Sequence, residues 1–183
     1  MKTIITTILF IACWSVLSAQ IFEVPKDYQL IAKEDYAPYE PDIVKCVDWL
    51  ISTPINKEQE KRREASAFLI KWVSGSPTVH IIIDEKNGDF LDEKTPELLI
   101  IFIGGWVKKT IETNNYRNTV ALAQEDTEGI LAGNIAGIEA VINFYNANKK
   151  LLSKNKNIED YTKLKEKGKL KEHIEKKITR NND

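Results

Sequence analysis

The chain has 183 residues, 26 Lys or Arg against 27 Asp or Glu, and only two Cys and two His. Nucleic acid is not expected as a partner, because the chain has no aromatic stacking runs and its N-terminus points to export. With so few Cys, a disulfide scaffold is excluded, and a domain of this length can bury a sufficient core without one.

The N-terminus opens with Lys2, and residues 4 to 16 are almost wholly apolar. Leu17-Ser18-Ala19 then places small residues where a signal peptidase reads, so residues 1 to 19 are expected to be a signal peptide cleaved before Gln20. The apolar run is shorter than the roughly 20 residues a membrane span needs. Phe10-Ile11-Ala12-Cys13 loosely resembles a lipobox, and lipidation at Cys13 is the alternative to simple cleavage. Either way the chain is expected to be exported, periplasmic or secreted. The cleaved chain would keep Cys46 alone, a small buried hydrophobe flanked by Val44 and Val47.

Residues 20 to 41 carry Pro25, Pro38 and Pro41 among scattered aromatics, which predicts an extended arm laid on the domain. A single helical domain follows over residues 42 to 183. Its first helix is expected from Asp42 to Ile51, with Ile43, Val47, Leu50 and Ile51 as the apolar stripe and Thr53-Pro54 as the stop. Asn56 and Gln59 have capping-box spacing for a second helix carrying Ala65, Phe68, Leu69, Trp72 and Val73.

Thr78 to Ile83 is rich in β-branched residues and precedes Asn87-Gly88. A lone strand has nothing to pair with, so an extended segment or a minor hairpin with Phe90-Leu91 is expected. Thr95, Pro96 and Glu97 then announce a helix to about Thr113, uncharged from Leu98 to Val107 and therefore central to the core. The longest helix is expected from Asn118 or Thr119 to about Leu152. Within it Gly129, Gly133 and Gly137 recur every fourth residue, on a different sector from Ile130, Leu131, Ile135, Ile138, Val141, Ile142 and Tyr145.

Each helical Gly costs about 1 kcal/mol relative to Ala, so this face needs close backbone approach as compensation. Gly104-Gly105 would suit as the packing partner; alternatively the face forms a groove for a ligand or partner. Gly104, Gly105, Trp106, Gly129, Gly133, Asn134 and Gly137 are the candidate groove residues. Asn134 is polar on an apolar sector and is expected to find a hydrogen-bond partner, since an unpaired buried amide costs about 1 to 3 kcal/mol.

From Lys149 onward the charge changes sign: twelve Lys or Arg face six Asp or Glu, whereas residues 20 to 148 hold thirteen against twenty-one. Ile158, Tyr161 and Leu164, then Leu170, Ile174 and Ile178, predict two amphipathic helices separated by Gly168. They are expected to complete the body, with membrane contact at most peripheral through Lys149 to Arg180.

The sequence lacks a phosphate-binding Gly loop, a zinc-pair spacing and a nucleophile elbow. Asp84 to Glu93 is acidic, but aligning Gly88 with the EF-hand Gly puts Ile83 where the first Asp must be. No cofactor, metal or catalytic residue is expected. The Ala19-Gln20 junction, Cys46-Val47-Asp48-Trp49-Leu50 with Thr53-Pro54, Pro96-Glu97-Leu98-Leu99 through Gly104-Gly105-Trp106, and Gly133-Asn134-Ile135-Ala136-Gly137 resemble uncharacterised exported helical proteins of the Bacteroidetes. The resemblance implies an envelope location and carries no activity. The expectation is an all-α protein of five to six helices around two central apolar ones, acting as a non-enzymatic module that binds an envelope protein or a small apolar ligand. The alternative is a small hydrolase-like or ligand-modifying enzyme, which would need Asp48, His80, Glu128 and Glu139 in one cleft.

Overall fold

The computed structural model describes residues 22–84, 87–91, 94–113 and 127–179. The expected signal peptide, the lipidation alternative at Cys13 and the start of the long helix lie outside these residues. Among the described residues there are six α-helices and no strand.

α1 spans Glu40–Ser52, with Pro41 and two acidic residues in its first turn, as the N-terminal dipole favours. Ile43, Cys46, Val47 and Leu50 bury one stripe. Thr53 turns extended before Pro54 and ends the helix. Residues ahead of α1 lie on the domain as expected, with Phe22 buried against Trp49 and the Tyr28 ring edge-on to Phe68 at 4.8 Å. The arm is not extended throughout: Lys33–Asp35 and Ala37–Tyr39 are 3-10 turns, the first tied by Asp35 accepting from the Ile31 and Ala32 amides.

α2 spans Gln59–Gly75 and buries Ala65, Phe68, Leu69 and Trp72. The expected Asn56 capping box does not form. The cap residue is Glu58, left-handed at φ 46° with no side-chain bond, and the Gln59 side-chain amide donates instead to the Ile55 carbonyl.

α3, Glu97–Thr113, and α4, Thr127–Ala147, make the most extensive helix contact of the fold. The adjacent residues Gly104 and Gly105 open α3 in two directions. A methyl at Gly104 would meet Val47 at 3.2 Å and Leu69 at 3.6 Å, whereas one at Gly105 would lie 2.6 Å from Ala140 Cβ. α3 therefore sits between the α1–α2 layer and α4, which explains its nearly uninterrupted burial from Ile101 to Val107.

α4 stops at Ala147, five residues before the expected end, because Asn148 terminates it. The Asn148 amide and Nδ2 both donate to Phe144 O, and its Oδ1 accepts from Ile55 N at 2.8 Å. One side chain thus closes the helix and ties it to the α1–α2 connection. α5, Lys156–Glu166, starts at Asn155, whose Oδ1 accepts from Ile158 N. It ends with Gly168 at φ 67°, Gly168 N donating to Lys165 O and Lys169 N to Leu164 O, a Schellman pair. α6, Leu170–Thr179, follows at once, and both tail helices pack on α4.

Candidate functional site

The glycine face of α4 is occupied by rings from α3. A methyl built on Gly133 would lie 2.2 Å from Trp106 Nε1, and one on Gly137 would lie 2.7 Å from Phe102 Cδ2. Phe102 and Trp106 pack edge to face at 5.7 Å, and Gly105 approaches the Ala136 carbonyl and Gly137 Cα. Gly105, Trp106, Gly133 and Gly137 are thus brought together in a closed helix contact, with no open groove between them. Gly104 faces α1 and α2, and Gly129 is only partly buried.

Asn134 departs from the expectation that it would be paired. It is fully buried, yet neither Nδ2 nor Oδ1 has a hydrogen-bond partner. Its position on the helix sets it beside Ile130, Ile138 and Val141, hydrocarbon that supplies no donor or acceptor.

The open surface of α4 lies on another face. Glu128, Leu131, Ala132, Ile135, Ala136 and Glu139 recur at three- and four-residue steps, forming one stripe. With Lys109 of α3 and Lys171 of α6 they line a shallow concavity of about 340 Å³. Its floor is aliphatic and only partly buried, and its rim is charged. Glu139 is also 3.4 Å from Lys165 on α5, whereas Lys109 and Lys171 form no ion pair among the described residues. Leu131 and Ile135, expected on one apolar sector with Ile138 and Val141, instead form the floor of this surface. The signal available was the pairing of Glu128 and Glu139, which occupy the same stripe at its two ends.

The four residues an acidic enzyme site would require do not converge. Glu128 and Glu139 share the concavity, but eleven residues of helix separate them by about 16 Å. Asp48 is ion-paired with Lys108, and His80 is exposed on the segment after α2. Among the described residues no cluster of three His, Cys, Asp or Glu side chains could hold a metal ion. Cys46 is enclosed, its Sγ 3.4 Å from Ala65 O, and burial pushes its thiol well above the ordinary range.

Two buried polar groups escape local sequence patterns, and the first, Arg62, organises the α1–α2–α4 junction. Arg62 is buried and donates from Nη1 to Leu50 O at 3.1 Å and from Nη2 to Thr53 O at 2.6 Å. Its guanidinium lies 5.7 Å from the ring centroids of both Trp49 and Phe144, a cation at the negative end of α1 between two π faces. Glu40 is the other; its Oε2 is buried without a partner, and burial raises its carboxyl above the usual carboxylate value.

Comparison with family models, curated proteins and solved structures finds no match to this chain. Among the described residues no helix is long and apolar enough to cross a membrane.

Proposed function

We propose that this chain is an exported, non-enzymatic helical module of the bacterial envelope that binds a small apolar ligand with an acidic head. The observation carrying the reading is the concavity on α4, where an aliphatic floor of Leu131, Ala132, Ile135 and Ala136 lies beside Lys109 and Lys171, whose ammonium groups form no ion pair among the described residues. Its volume of about 340 Å³ falls at the lower end of small-molecule sites, and its few charged groups would fix orientation while the floor supplies apolar contact. Export rests on residues 1 to 19 and on the resemblance to exported helical proteins.

Laurate is a suitable probe, since it joins a short alkyl chain to a carboxylate. Calorimetric titration should give saturable binding that Ala132→Phe removes by filling the floor and Lys109→Gln with Lys171→Gln weakens. Laurate uptake unchanged in Ala132→Phe would refute the site. Independently, the intact mass of the protein recovered from cells should begin at Gln20; a retained Met1 would remove the support for export.

A further inference from the structure

Among the described residues no strand forms, so the β-rich stretch after α2 lies alone beside the helices. From Val79 to Asp84 it runs without a turn or bend; Val79 is buried and Ile81 half-buried, His80 between them is exposed, and Ile82, Ile83 and Asp84 are all exposed. Ile82 keeps 45% of its surface and Ile83 40%, two of the few large apolar side chains so exposed.

One backbone edge of this segment is closed. Asn87 lies along it as a neighbouring strand would, donating from Nδ2 to Ile82 O at 2.6 Å and accepting at Oδ1 from Asp84 N at 2.9 Å. Residues 82 and 84 therefore turn their amides and carbonyls toward Asn87. Because successive residues of an extended chain point to opposite edges, Ile81 and Ile83 present theirs to the other side. Among the described residues none of those four groups has a hydrogen-bond partner. The result is a short open strand edge of the kind that adds a further strand.

We infer that this edge is a self-association site, at which two copies of the chain pair residues 80–84 antiparallel about a twofold axis through Ile82. The charges select the occupant and the register. In that arrangement His80 stands opposite Asp84 of the second copy and Asp84 opposite its His80, so complementary groups flank a central Ile82–Ile82 contact on the exposed face. Asp84 Oδ1 already accepts from Asn87 N, which fixes the carboxylate beside the strand. The same register makes Ile82 a non-hydrogen-bonded position, as its occupied carbonyl requires, and matches Ile81 with Ile83 of the other copy in both directions. Four backbone hydrogen bonds form. A twofold through Ile81 would use the same edge but set His80 opposite Ile82 and Asp84 opposite Thr78, losing both complementary pairs.

So few residues make a small contact, and association at high protein concentration is expected rather than a permanent dimer. Sedimentation velocity of the parent should show a reversible monomer–dimer shift between about 10 µM and about 1 mM, within the range of weak interfaces. Ile82→Lys, a change on the solvent face, should leave the helical signal intact and abolish the shift. His80→Asp should weaken association at least about tenfold by opposing two carboxylates, and His80→Asp with Asp84→Lys should recover it. Amide exchange at Ile81 and Ile83 should slow with concentration in the parent alone. A parent that stays monomeric throughout, an Ile82→Lys variant that associates like the parent, or a folded double variant as weak as His80→Asp would each overturn the inference. Association with no protection at Ile81 and Ile83 would assign the contact to another surface and overturn it equally.

Discussion

At Gly133 two effects of opposite sign compete. Replacement by Ala raises helix propensity by about 1 kcal/mol, but the new methyl would fall 2.2 Å from Trp106 Nε1, inside an indole held by Phe102 and the body of α3. Overpacking of this kind typically costs 1 to 3 kcal/mol, so the steric term should win and Gly133→Ala should destabilise, with Gly133→Leu worse. Chemical denaturation of both beside the parent measures the sign; a gain for either would show that Trp106 moves aside freely. Asn134 reverses the logic. Both its amide atoms are buried without partners, so Asn134→Leu removes two desolvated polar groups at nearly constant volume and should stabilise by about 1 to 3 kcal/mol in the same experiment. Arg62 cannot be treated that way: Arg62→Met would leave Leu50 O and Thr53 O without their donors and should cost about 2 kcal/mol or more, read as a lowered melting midpoint.

Helices α3, α5 and α6 were legible because periodicity and punctuation agree, with Pro96 at the start of α3 and Gly168 between the last two; α1 was legible from its apolar stripe, but it opens at Glu40 rather than Asp42, because Pro41, assigned to the arm, also fits the first turn of a helix. That α3 packs on the glycine face was legible as well, since small residues spaced four apart permit close approach, but of the expected Gly104–Gly105 pair only Gly105 meets it, and the rings of Phe102 and Trp106 fill the rest. Where α4 ends was not. Ile142, Tyr145, Leu151 and Leu152 continue an apolar pattern past the true boundary, and the stop comes from a bond between Asn148 and Ile55, 93 residues apart. No local rule sees such a partner. Asn148→Ala should therefore do two things at once, fraying the last turn of α4 and releasing the α1–α2 connection. Hydrogen exchange should show faster amides at both Ile55 and the end of α4, by a factor matching a loss of about 1 to 2 kcal/mol. The concavity escaped the sequence for a related reason. Which apolar stripe of α4 stays open depends on where α3 and α6 end beside it, and periodicity within one helix carries no such information.

Across the whole molecule, an acidic body meets a basic tail, yet the packing does not rest on that asymmetry. Among the described residues the pairs that join them include Lys165 with Glu139 at 3.4 Å and Lys177 with Asp89 at 2.7 Å, and each retains about a third of its side-chain surface. Exposed pairs of this kind contribute about 0 to 1 kcal/mol. By contrast Leu170 and Ile174 of α6 and Ile158 and Tyr161 of α5 are buried, each large enough to contribute about 1.5 to 3 kcal/mol by removal from water. Tyr161 adds a polar lock, its hydroxyl donating to Asp89 Oδ1 and accepting from Lys177 Nζ, with its ionisation pushed upward by burial and by the adjacent carboxylate. Apolar burial should therefore dominate docking. Ile174→Ala should cost about 2 to 4 kcal/mol, whereas Lys165→Ala, or raising salt to 1 M where screening acts within about 3 Å, should change stability by less than about 1 kcal/mol. Because the apolar residues of α6 already face α4, little remains to insert into a bilayer, and retention on anionic vesicles should be lost at physiological salt. Large salt sensitivity with a mild Ile174→Ala phenotype would mean that charge holds the tail in place and that α6 is free to exchange the body for an anionic surface.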